Sequence, residues 1–479
     1  MTRHPVGREW LAPVLVCWLT ITAVAGERVE RFDTDPKWEG RNNRAEQPRP
    51  RTIRQDFGYD PAAKAVGGLV TPAAEPAFYA KRIDKKTFDD PLTASGRLTC
   101  KGRNFHALVA FFNAGTLNEW RTPNTVAVRL LGRRGVFYAY VEYCTARWRA
   151  GGDDPGGFAT VRDPKTGRAE PRGFRTGVAH DFTLRYDPKG NAGGGVVTLT
   201  IDDETSVCHL AKGHKADGAA FNRFGLLPVL KSADTGGEVW LDNVVIDGRA
   251  EDFTRDPGWE GRGNRRVYET ANVRPRFDFG YSPTRFAGGS AGELGGRVFR
   301  GDCRSADKLA AYGDRLGPLS LAKPLRASGK VSLRRGVSDS TTLLGFYHSA
   351  DSLRVNPSQA SGWPECFLGV AVEGPSREGF QFYPAYRGKG GAQGSASGPN
   401  LPHILPDGKP HDWSLAYDPA AAGGRGRVVV TFDGKPVALD LGTGHTTGAR
   451  FDRFGLVTTW IDGNAQHVYF DDLTYTCGQ

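Results

Sequence analysis

The chain contains 479 residues, of which 63 are glycine and 30 are proline, and its formal net charge is +10 at pH 7. A chain of this length exceeds one ordinary hydrophobic core, so at least two domains are expected. Its apolar, aromatic and charged fractions are those of a globular protein and exclude an intrinsically disordered chain. Short apolar segments between turn residues, without helical periodicity, predict an all-β protein.

A predicted signal peptide comes first, over residues 1–25. Arg3 and Arg8 give it a positively charged start, an apolar segment follows, and residues 23–25 (Ala-Val-Ala) suit a cleavage site. The apolar segment is too short for a stable membrane anchor. We therefore expect a secreted, periplasmic or cell-surface protein without a membrane span once the signal is removed.

The next stretch, from Phe32 to Arg44, reads Phe-Asp-Thr-Asp-Pro-Lys-Trp-Glu-Gly-Arg-Asn-Asn-Arg and recurs in similar form from Phe253 to Arg265. Further pairs follow in the same order: Asp56–Tyr59 and Asp278–Tyr281, Pro91–Gly96 and Pro324–Gly329, His180–Pro188 and His411–Pro419, Phe221–Leu226 and Phe451–Leu456, and Val239–Val244 and Val468–Leu473. Ordered self-similarity of this kind indicates a duplication. It predicts a first domain over residues 26–249 and a second over residues 250–479. We expect the repeated Trp-Glu-Gly-Arg turn to tie the opening strand of each copy to its own domain.

Within each copy, apolar and polar residues alternate with a period of two, which is typical of strands with one buried face. Val196–Ile201 and Arg427–Phe432 are clear examples, and the second ends in Asp433-Gly434, a hairpin signal. Many short strands over about 220 residues per copy predict two tandem β-sandwiches of the jelly-roll type.

Three pieces of each copy carry a family resemblance. They are His-Asp-(Phe/Trp)-x-Leu-x-Tyr-Asp from His180 and His411, Arg-Phe-Gly-Leu from Arg223 and Arg453, and a last strand containing Asp-(Asn/Asp)-(Val/Leu). In this order they resemble concanavalin A-like lectin/glucanase (LamG-like) domains. The resemblance implies a curved two-sheet sandwich whose concave face often meets carbohydrate, and it does not distinguish binding from cleavage. The Glu-x-Asp-x-x-Glu strand of laminarinase-type glucanases and the Tyr-Phe-Lys-Ala-Gly strand of jelly-roll alginate lyases are both missing from the sequence.

Polar strand residues that differ between the copies are the candidate site. Tyr138, Tyr140 and Glu142 alternate with apolar residues and therefore share one face of a strand. Arg129 faces away from its apolar neighbours on the preceding strand. In the second copy an apolar residue replaces Arg129, and alignment with Phe-Gln-Phe-Tyr places Gln381 opposite Glu142.

These residues predict a groove in the first copy, with three alternative roles. In a lectin they would stack on and hydrogen-bond a sugar. In an enzyme Glu142 would be a general acid or base, and Arg129 would neutralise a uronate. Alternatively, the two form a cross-strand salt bridge on a solvated face. The predicted carbohydrate-binding residues are Asn113, Trp120, Arg129, Tyr138, Tyr140, Glu142 and Trp148 in the first copy, and His348, Gln381 and Tyr383 in the second.

One structural Ca²⁺ per copy is a further expectation. Sandwiches of this kind often hold calcium with carboxylates and carbonyls where the first and last strands meet. Glu30 and Asp242 would be ligands in the first copy, and Glu251 and Asp471 would be their equivalents in the second.

Six cysteines follow the predicted signal peptide, three in each copy. Export permits disulfides, but three cysteines per copy leave at least one without a partner in its own domain. No Cys-x-x-Cys pair is present in the sequence, which argues against a zinc site. We expect scattered buried thiols, with at most one bridge in each copy.

These features favour an exported carbohydrate-binding or cell-surface-associated protein whose ligand is a polysaccharide. One alternative is a polysaccharide-degrading enzyme, a glycoside hydrolase or lyase, with its site in the first copy. Another is a structural envelope protein without a small ligand. The basic charge favours an anionic glycan, although solubility and base composition account for it equally well. No nucleic-acid motif is present, and export argues against that partner.

Overall fold

A computed structural model describes residues 26–44, 49–117, 122–154, 157–158, 160–162, 169–359, 362–376, 379–398 and 400–478. The predicted signal peptide and Trp120 lie outside these residues. The described chain is almost entirely β-structure, with short helical turns at Asn191–Gly193, Lys215–Asp217, Ala306–Lys308 and Ala421–Gly424. Within the described ranges, no helix has the length and apolar character needed to cross a bilayer.

The strands up to the end of the first copy are β1 (Gly26–Glu30), β2 (Glu39–Arg41), β3 (Arg51–Asp60), β4 (Ala65–Val70), β5 (Phe78–Thr87), β6 (Leu92–Lys101), β7 (Asn104–Phe112), β8 (Thr125–Arg133), β9 (Val136–Cys144), β10 (Ala150–Gly152), β11 (Thr160–Arg162), β12 (Ala169–Pro171), β13 (Phe174–Arg175), β14 (Ala179–Asp187), β15 (Val196–Ile201), β16 (Glu204–His209), β17 (Ala220–Pro228), β18 (Gly237–Ile246) and β19 (Arg249–Ala250). Those that follow are β20 (Glu260–Arg262), β21 (Arg265–Thr270), β22 (Asp278–Ser282), β23 (Glu293–Phe299), β24 (Ala311–Ser320), β25 (Leu325–Arg335), β26 (Ser340–Tyr347), β27 (Phe367–Ser376), β28 (Gly379–Arg387), β29 (Gln393–Ser395), β30 (Pro410–Asp418), β31 (Arg427–Phe432), β32 (Lys435–Asp440), β33 (Arg450–Val457) and β34 (Ala465–Cys477).

Four large antiparallel sheets form two sandwiches. In the first sandwich, sheet 1a has the order β16-β15-β14-β6-β18-β4-β3-β21 and sheet 1b has the order β10-β9-β8-β7-β17-β5-β20. In the second, sheet 2a has the order β32-β31-β30-β25-β34-β23-β22 and sheet 2b has the order β29-β28-β27-β26-β33-β24-β2. The central strand orders of the two sandwiches correspond one to one. The predicted all-β fold of two tandem sandwiches is therefore confirmed.

The period-two alternation produces the cores. Phe182, Leu184 and Tyr186 of β14 are buried between the sheets of the first sandwich, while Asp181 and Arg185 of the same strand are exposed. The equivalent strand β30 has the same pattern of burial in the second core. Burying one face of each sheet supplies most of the free energy that holds a sandwich together.

The two copies of the opening stretch are exchanged between the sandwiches. β1 pairs with β34 and β2 pairs with β24, so residues 26–44 belong structurally to the second sandwich. β20 pairs with β5 of the first sandwich, and Phe253 lies in the first core. The expectation that this turn ties each opening strand to its own domain is therefore wrong. The strand pairings place each opening stretch on the other sandwich. The boundary between residues 249 and 250 describes where the repeat restarts in the sequence, and it stays a prediction.

The tryptophan of each stretch fixes it to the other copy. The Trp38 ring lies 5.9 Å from the Tyr312 ring and 6.1 Å from the Tyr475 ring, measured between centroids, in the second core. Trp259 stacks on Tyr79 of the first core at 5.9 Å. Both indoles are almost fully buried, so Trp38 completes the second core from a distant part of the chain, and Trp259 completes the first core from the segment that follows β19.

The glutamate after each tryptophan adds an ion pair at the same joint. Glu39 accepts hydrogen bonds from Arg453 and from Arg315, the latter at 2.6 Å. Glu260 accepts hydrogen bonds from Arg223 at 2.6 Å. The arginine of the repeated Arg-Phe-Gly-Leu strand is therefore the partner of the exchanged turn in both sandwiches.

The substitution Trp38→Ala tests the exchange. We expect it to destabilise the protein by about 3 kcal/mol, because it removes a large buried aromatic side chain. In hydrogen-exchange mass spectrometry, protection should fall in β24 and β34 and stay unchanged in β5. Trp259→Ala is the matched control and should give the reverse pattern. Loss of protection in β5 on substitution of Trp38 would contradict the exchanged arrangement.

Candidate functional site

Arg129 of β8 and Glu142 of β9 form an ion pair on the face of sheet 1b that points away from the core. The distance between Arg129 Nε and Glu142 Oε1 is 2.5 Å. Only 14% of the Arg129 side chain and 8% of the Glu142 side chain are exposed to solvent. The predicted pair is formed, but it is buried, unlike the solvated salt bridge of the third alternative. Burial of both charges costs much more desolvation free energy than an exposed pair does.

His106 of β7 joins this pair. Its Nε2 atom lies 3.3 Å from Arg129 Nη1, and the guanidinium carbon of Arg129 lies 4.2 Å from the centroid of the Tyr140 ring. Burial and the positive charge of Arg129 lower the pKa of His106 well below 6.5. The imidazole is therefore neutral at pH 7 and can accept a hydrogen bond from the guanidinium.

A second carboxylate lies beside Glu142. Asp153 accepts a hydrogen bond from the Val141 amide at 3.2 Å and another from the Ser206 hydroxyl. Burial raises the pKa of Asp153, and the charge of Glu142 raises it further. The outward face of sheet 1b thus combines an arginine, a neutral histidine, two tyrosines and a carboxylate, with Asp153 at the neighbouring edge toward sheet 1a. We call residues His106, Arg129, Tyr138, Tyr140 and Glu142 the Arg129 face.

The strand register corrects the alignment of the two copies at this face. Val126 pairs with Tyr143 in the first sandwich, as Leu368 pairs with Tyr386 in the second. The two tyrosines also make the same contact, since Tyr143 bonds to His214 and Tyr386 to the equivalent His445.

The corrected register gives three equivalences. The equivalent of Glu142 is therefore Ala385, whereas Gln381 corresponds to Tyr138. The equivalent of Arg129 is Ala371, so that the expected apolar replacement is present. The sequence alignment was wrong by four residues at Glu142, because a repeated aromatic-polar pattern matches itself at more than one even offset.

The second sandwich builds a different polar network on the same face. Glu373 accepts a hydrogen bond from Arg300 Nη2 at 2.8 Å and another from the hydroxyl of Tyr383. Arg300 Nε also donates to the Thr341 hydroxyl at 2.8 Å. Tyr383 is the equivalent of Tyr140, but Glu373 and Arg300 come from other positions. Sequence comparison missed them because neither aligns with a charged residue of the first copy.

The remaining predicted sugar ligands have local structural contacts. Asn113 donates to the Ala220 carbonyl at 3.1 Å, and His348 accepts from the Asp351 amide at 3.1 Å, so each shapes its own loop. Gln381 donates to the Gly398 carbonyl at 3.4 Å. Trp148 packs against the second core and lies beside Gly379, so it belongs to the junction of the two sandwiches. The structure does not bring these four residues together with the Arg129 face.

The four predicted calcium ligands are combined differently from the expectation. Glu30 lies on β1, which pairs with β34, the strand of Asp471 in the second sandwich, and the Glu251 amide donates to the Val244 carbonyl of β18, the strand of Asp242 in the first. The Glu251 carboxylate is already bound by Lys81 at 3.0 Å and by the Trp259 indole at 2.9 Å. Within the described residues, no three side chains of the metal-binding types converge. The predicted pairing of Glu30 with Asp242 and of Glu251 with Asp471 is therefore wrong, whereas calcium binding itself stays a prediction.

The cysteines and the repeated histidines are structural. The six cysteines of the described chain are free thiols, and five of them are buried, in line with the expected scattered thiols. His180 and His411 each bond, at 2.7 Å, to the aspartate of the following hairpin turn, Asp202 and Asp433. This contact fastens the same hairpin in both sandwiches.

Comparison with known proteins gives remote likenesses. No protein-family model matches the chain, and no curated protein matches it in sequence. Domains LG4-5 of the mouse laminin alpha1 chain share 11% identity over 88% of this chain and 90% of that chain, with a TM-score of 0.25. The carbohydrate recognition domain of Emp47p shares 12% identity over 42% of this chain and 89% of that chain, with a TM-score of 0.26.

A variant of the alginate lyase Aly36B in complex with alginate trisaccharide shares 14% identity over 42% of this chain and 88% of that chain, with a TM-score of 0.26. Laminin LG domains and carbohydrate-recognition domains thus occur among the similar structures. At such low similarity, the fold assignment depends on the strand order of this chain itself.

The two buried charges of the Arg129 face predict a non-additive pair of substitutions. Arg129→Ala leaves the Glu142 carboxylate buried without its main counter-charge, so we expect a loss of about 3 kcal/mol in the free energy of unfolding. Arg129→Ala combined with Glu142→Ala should cost clearly less than the single change, since Ala371 and Ala385 occupy these positions in the second sandwich. Urea unfolding of both variants measures the difference. A double variant that is less stable than Arg129→Ala would contradict the prediction.

His106 predicts a pH dependence of stability. Its pKa is depressed in the folded state, whereas an unfolded histidine titrates near 6.5. Its contribution to stability is therefore present above pH 6.5 and is lost as the pH falls below that value, by about 1.4 kcal/mol per pH unit at most. Urea unfolding at pH 7.5 and pH 5.0 should show a smaller acid loss for His106→Gln than for the wild type. Equal losses would mean that His106 is protonated in the folded protein.

Proposed function

We propose that the protein is exported and binds a polysaccharide or cell-surface glycan at the Arg129 face of the first sandwich. The observation that supports this most directly is the buried Arg129–Glu142 pair. The duplicate sandwich folds with alanine at both equivalent positions, so the fold itself does not require these charges. Two buried charges cost desolvation free energy, and a binding role accounts for their presence.

The neighbouring side chains suit a sugar ligand. Tyr138 and Tyr140 are partly exposed and lie next to Glu142 on the same face of β9. Their rings offer apolar surface with a hydroxyl at the edge, while Arg129 and Glu142 offer a donor and an acceptor. The net charge of +10 favours a glycan that carries carboxylates or sulfates.

A second candidate function is a polysaccharide-degrading activity at the same face. The convergence of His106, Arg129, Tyr140 and Glu142, with Asp153 alongside, favours it over a simple lectin site. In this role Arg129 would neutralise the carboxylate of a uronate, and Glu142 would transfer a proton. A hydrolase would release new reducing ends, and a lyase would also produce unsaturated products.

A glycan array with the mature chain tests both functions. Reducing-end and unsaturated-product assays run on the same polysaccharides separate binding from cleavage. We expect Glu142→Gln, which keeps the shape but removes the charge, and Tyr138→Ala, which leaves the ion pair intact, to weaken binding at least tenfold. Asp181→Asn on the exposed face of sheet 1a is the control and should bind like the wild type. If both site variants match the wild type in every assay, the Arg129 face is not the site.

A further inference from the structure

The outer face of sheet 1a, on the opposite side of the first sandwich from the Arg129 face, contains an open trough. Trp240 of β18 pairs with Gly67 of β4, and Gly67 pairs with Gly58 of β3. These three residues lie on the outer face of the sheet, because the neighbouring Val239 and Val66 have their side chains in the core. Since two adjacent strands lack side chains here, a cavity of about 450 Å³ opens beside the indole. We call it the Trp240 trough.

Glycine is required at the floor of this trough. A Cβ atom on Gly67 would lie 2.6 Å from the Trp240 Cα atom and 2.9 Å from its Cδ2 atom. The indole therefore rests against a bare backbone. One face of a tryptophan stays partly exposed as a result, which is costly for a soluble protein unless something covers it.

Charged groups surround the aromatic wall. Glu238 accepts a hydrogen bond from the indole Nε1 at 2.9 Å, which fixes the ring. On the other side, Arg54 pairs with Asp56 at 2.6 Å, and Arg265 donates to the Tyr59 carbonyl at 2.5 Å. Arg265 belongs to the repeated stretch from Phe253 to Arg265. The exchanged segment therefore supplies the far wall of the trough.

The second sandwich has the same trough, but its own chain fills it. Tyr469 pairs with Gly295, which pairs with Gly280, in the same register as Trp240, Gly67 and Gly58. The Phe286 ring lies on Tyr469, with 4.8 Å between the ring centroids. The guanidinium of Arg334 covers Phe286 from above, 4.3 Å from its centroid.

The difference arises from one connection. Residues 61–64 join β3 to β4 in the first sandwich, whereas residues 283–292 join β22 to β23 in the second. The longer connection is held down by the Glu293 carboxylate, which accepts hydrogen bonds from the Phe286 amide at 2.9 Å and the Ala287 amide at 2.7 Å. The second sandwich thus covers its aromatic residue with the Phe286 ring, and the first sandwich leaves the equivalent place open.

We propose that the Trp240 trough binds a single pyranose ring of a glycan, in the place where Phe286 lies in the second sandwich. The apolar face of a pyranose can stack on an indole, in the place where the Phe286 ring contacts Tyr469 at an interplanar angle of 58°. Its hydroxyl groups need hydrogen-bond partners at the ring edge, and Arg54, Asp56, Glu238 and Arg265 provide both donors and acceptors there. An aromatic side chain of a protein partner would offer no ring of hydroxyl groups to these charged side chains. For that reason we infer a sugar and not a protein.

Saturation-transfer-difference NMR on the mature chain tests this site with five defined probes. Four are the methyl glycosides of β-glucose, β-galactose, α-mannose and N-acetyl-β-glucosamine, and the fifth is phenol as the aromatic probe. We expect at least one glycoside to be saturated by the wild type, and this signal to fall at least fivefold in Trp240→Ala. Tyr469→Ala, the matched change in the filled trough, should keep the signal.

Three results would overturn the proposal. They are no saturation of any glycoside, equal saturation by the wild type and Trp240→Ala, and saturation of phenol alone, which would assign the trough to an aromatic group of a protein partner. Thermal melting verifies that each variant folds. If Trp240→Ala does not fold, Trp240→Phe replaces it, and the smaller ring should lower the glycoside signal at least twofold. An unchanged signal in that variant would equally reject the site.

Discussion

Two buried tryptophans, each placed in the sandwich of the other copy, hold this molecule together. Trp38 precedes the first sandwich in sequence and packs in the second core, while Trp259 follows the first sandwich and packs back into it. Each indole is large, apolar and almost fully buried, so its removal exposes or empties a substantial part of a core. The second core is thus completed by a segment that precedes the first sandwich in sequence, and the first core by the segment that directly follows β19.

This exchange also places polar groups on the outer faces. Each tryptophan is followed by a glutamate that pairs with Arg223 or Arg453. An arginine next to a glycine of the outer sheet comes a few residues later. Packing and surface chemistry are thus connected by one short repeated segment. A change in how that segment packs alters the wall of the Trp240 trough, because both are parts of the same turn.

The two sandwiches share a strand order but differ on their outer faces. The equivalent faces of sheets 1b and 2b share one tyrosine, Tyr140 or Tyr383, but surround it with an arginine and a glutamate from different positions. The equivalent faces of sheets 1a and 2a share an aromatic residue above paired glycines, but only the second is covered by its own loop. A single structural framework therefore carries two chemically distinct faces on the first sandwich. In the second sandwich, the face of sheet 2a is covered by its own loop, and the face of sheet 2b has a different set of polar residues.

The sequence by itself determined the fold class, because strand alternation and the ordered repeat are local or pairwise patterns in the chain. It also brought Arg129, Tyr140 and Glu142 to one face, since residues two apart on a strand point the same way. It could not determine which sandwich receives each Trp-Glu-Gly-Arg segment, because a repeat fits either copy equally well and only packing chooses between them. His106, Arg300, Glu373 and the Trp240 trough likewise emerged only from the tertiary structure. Their contacts join strands far apart in sequence, and the trough depends on what lies above two glycines that carry no side chains.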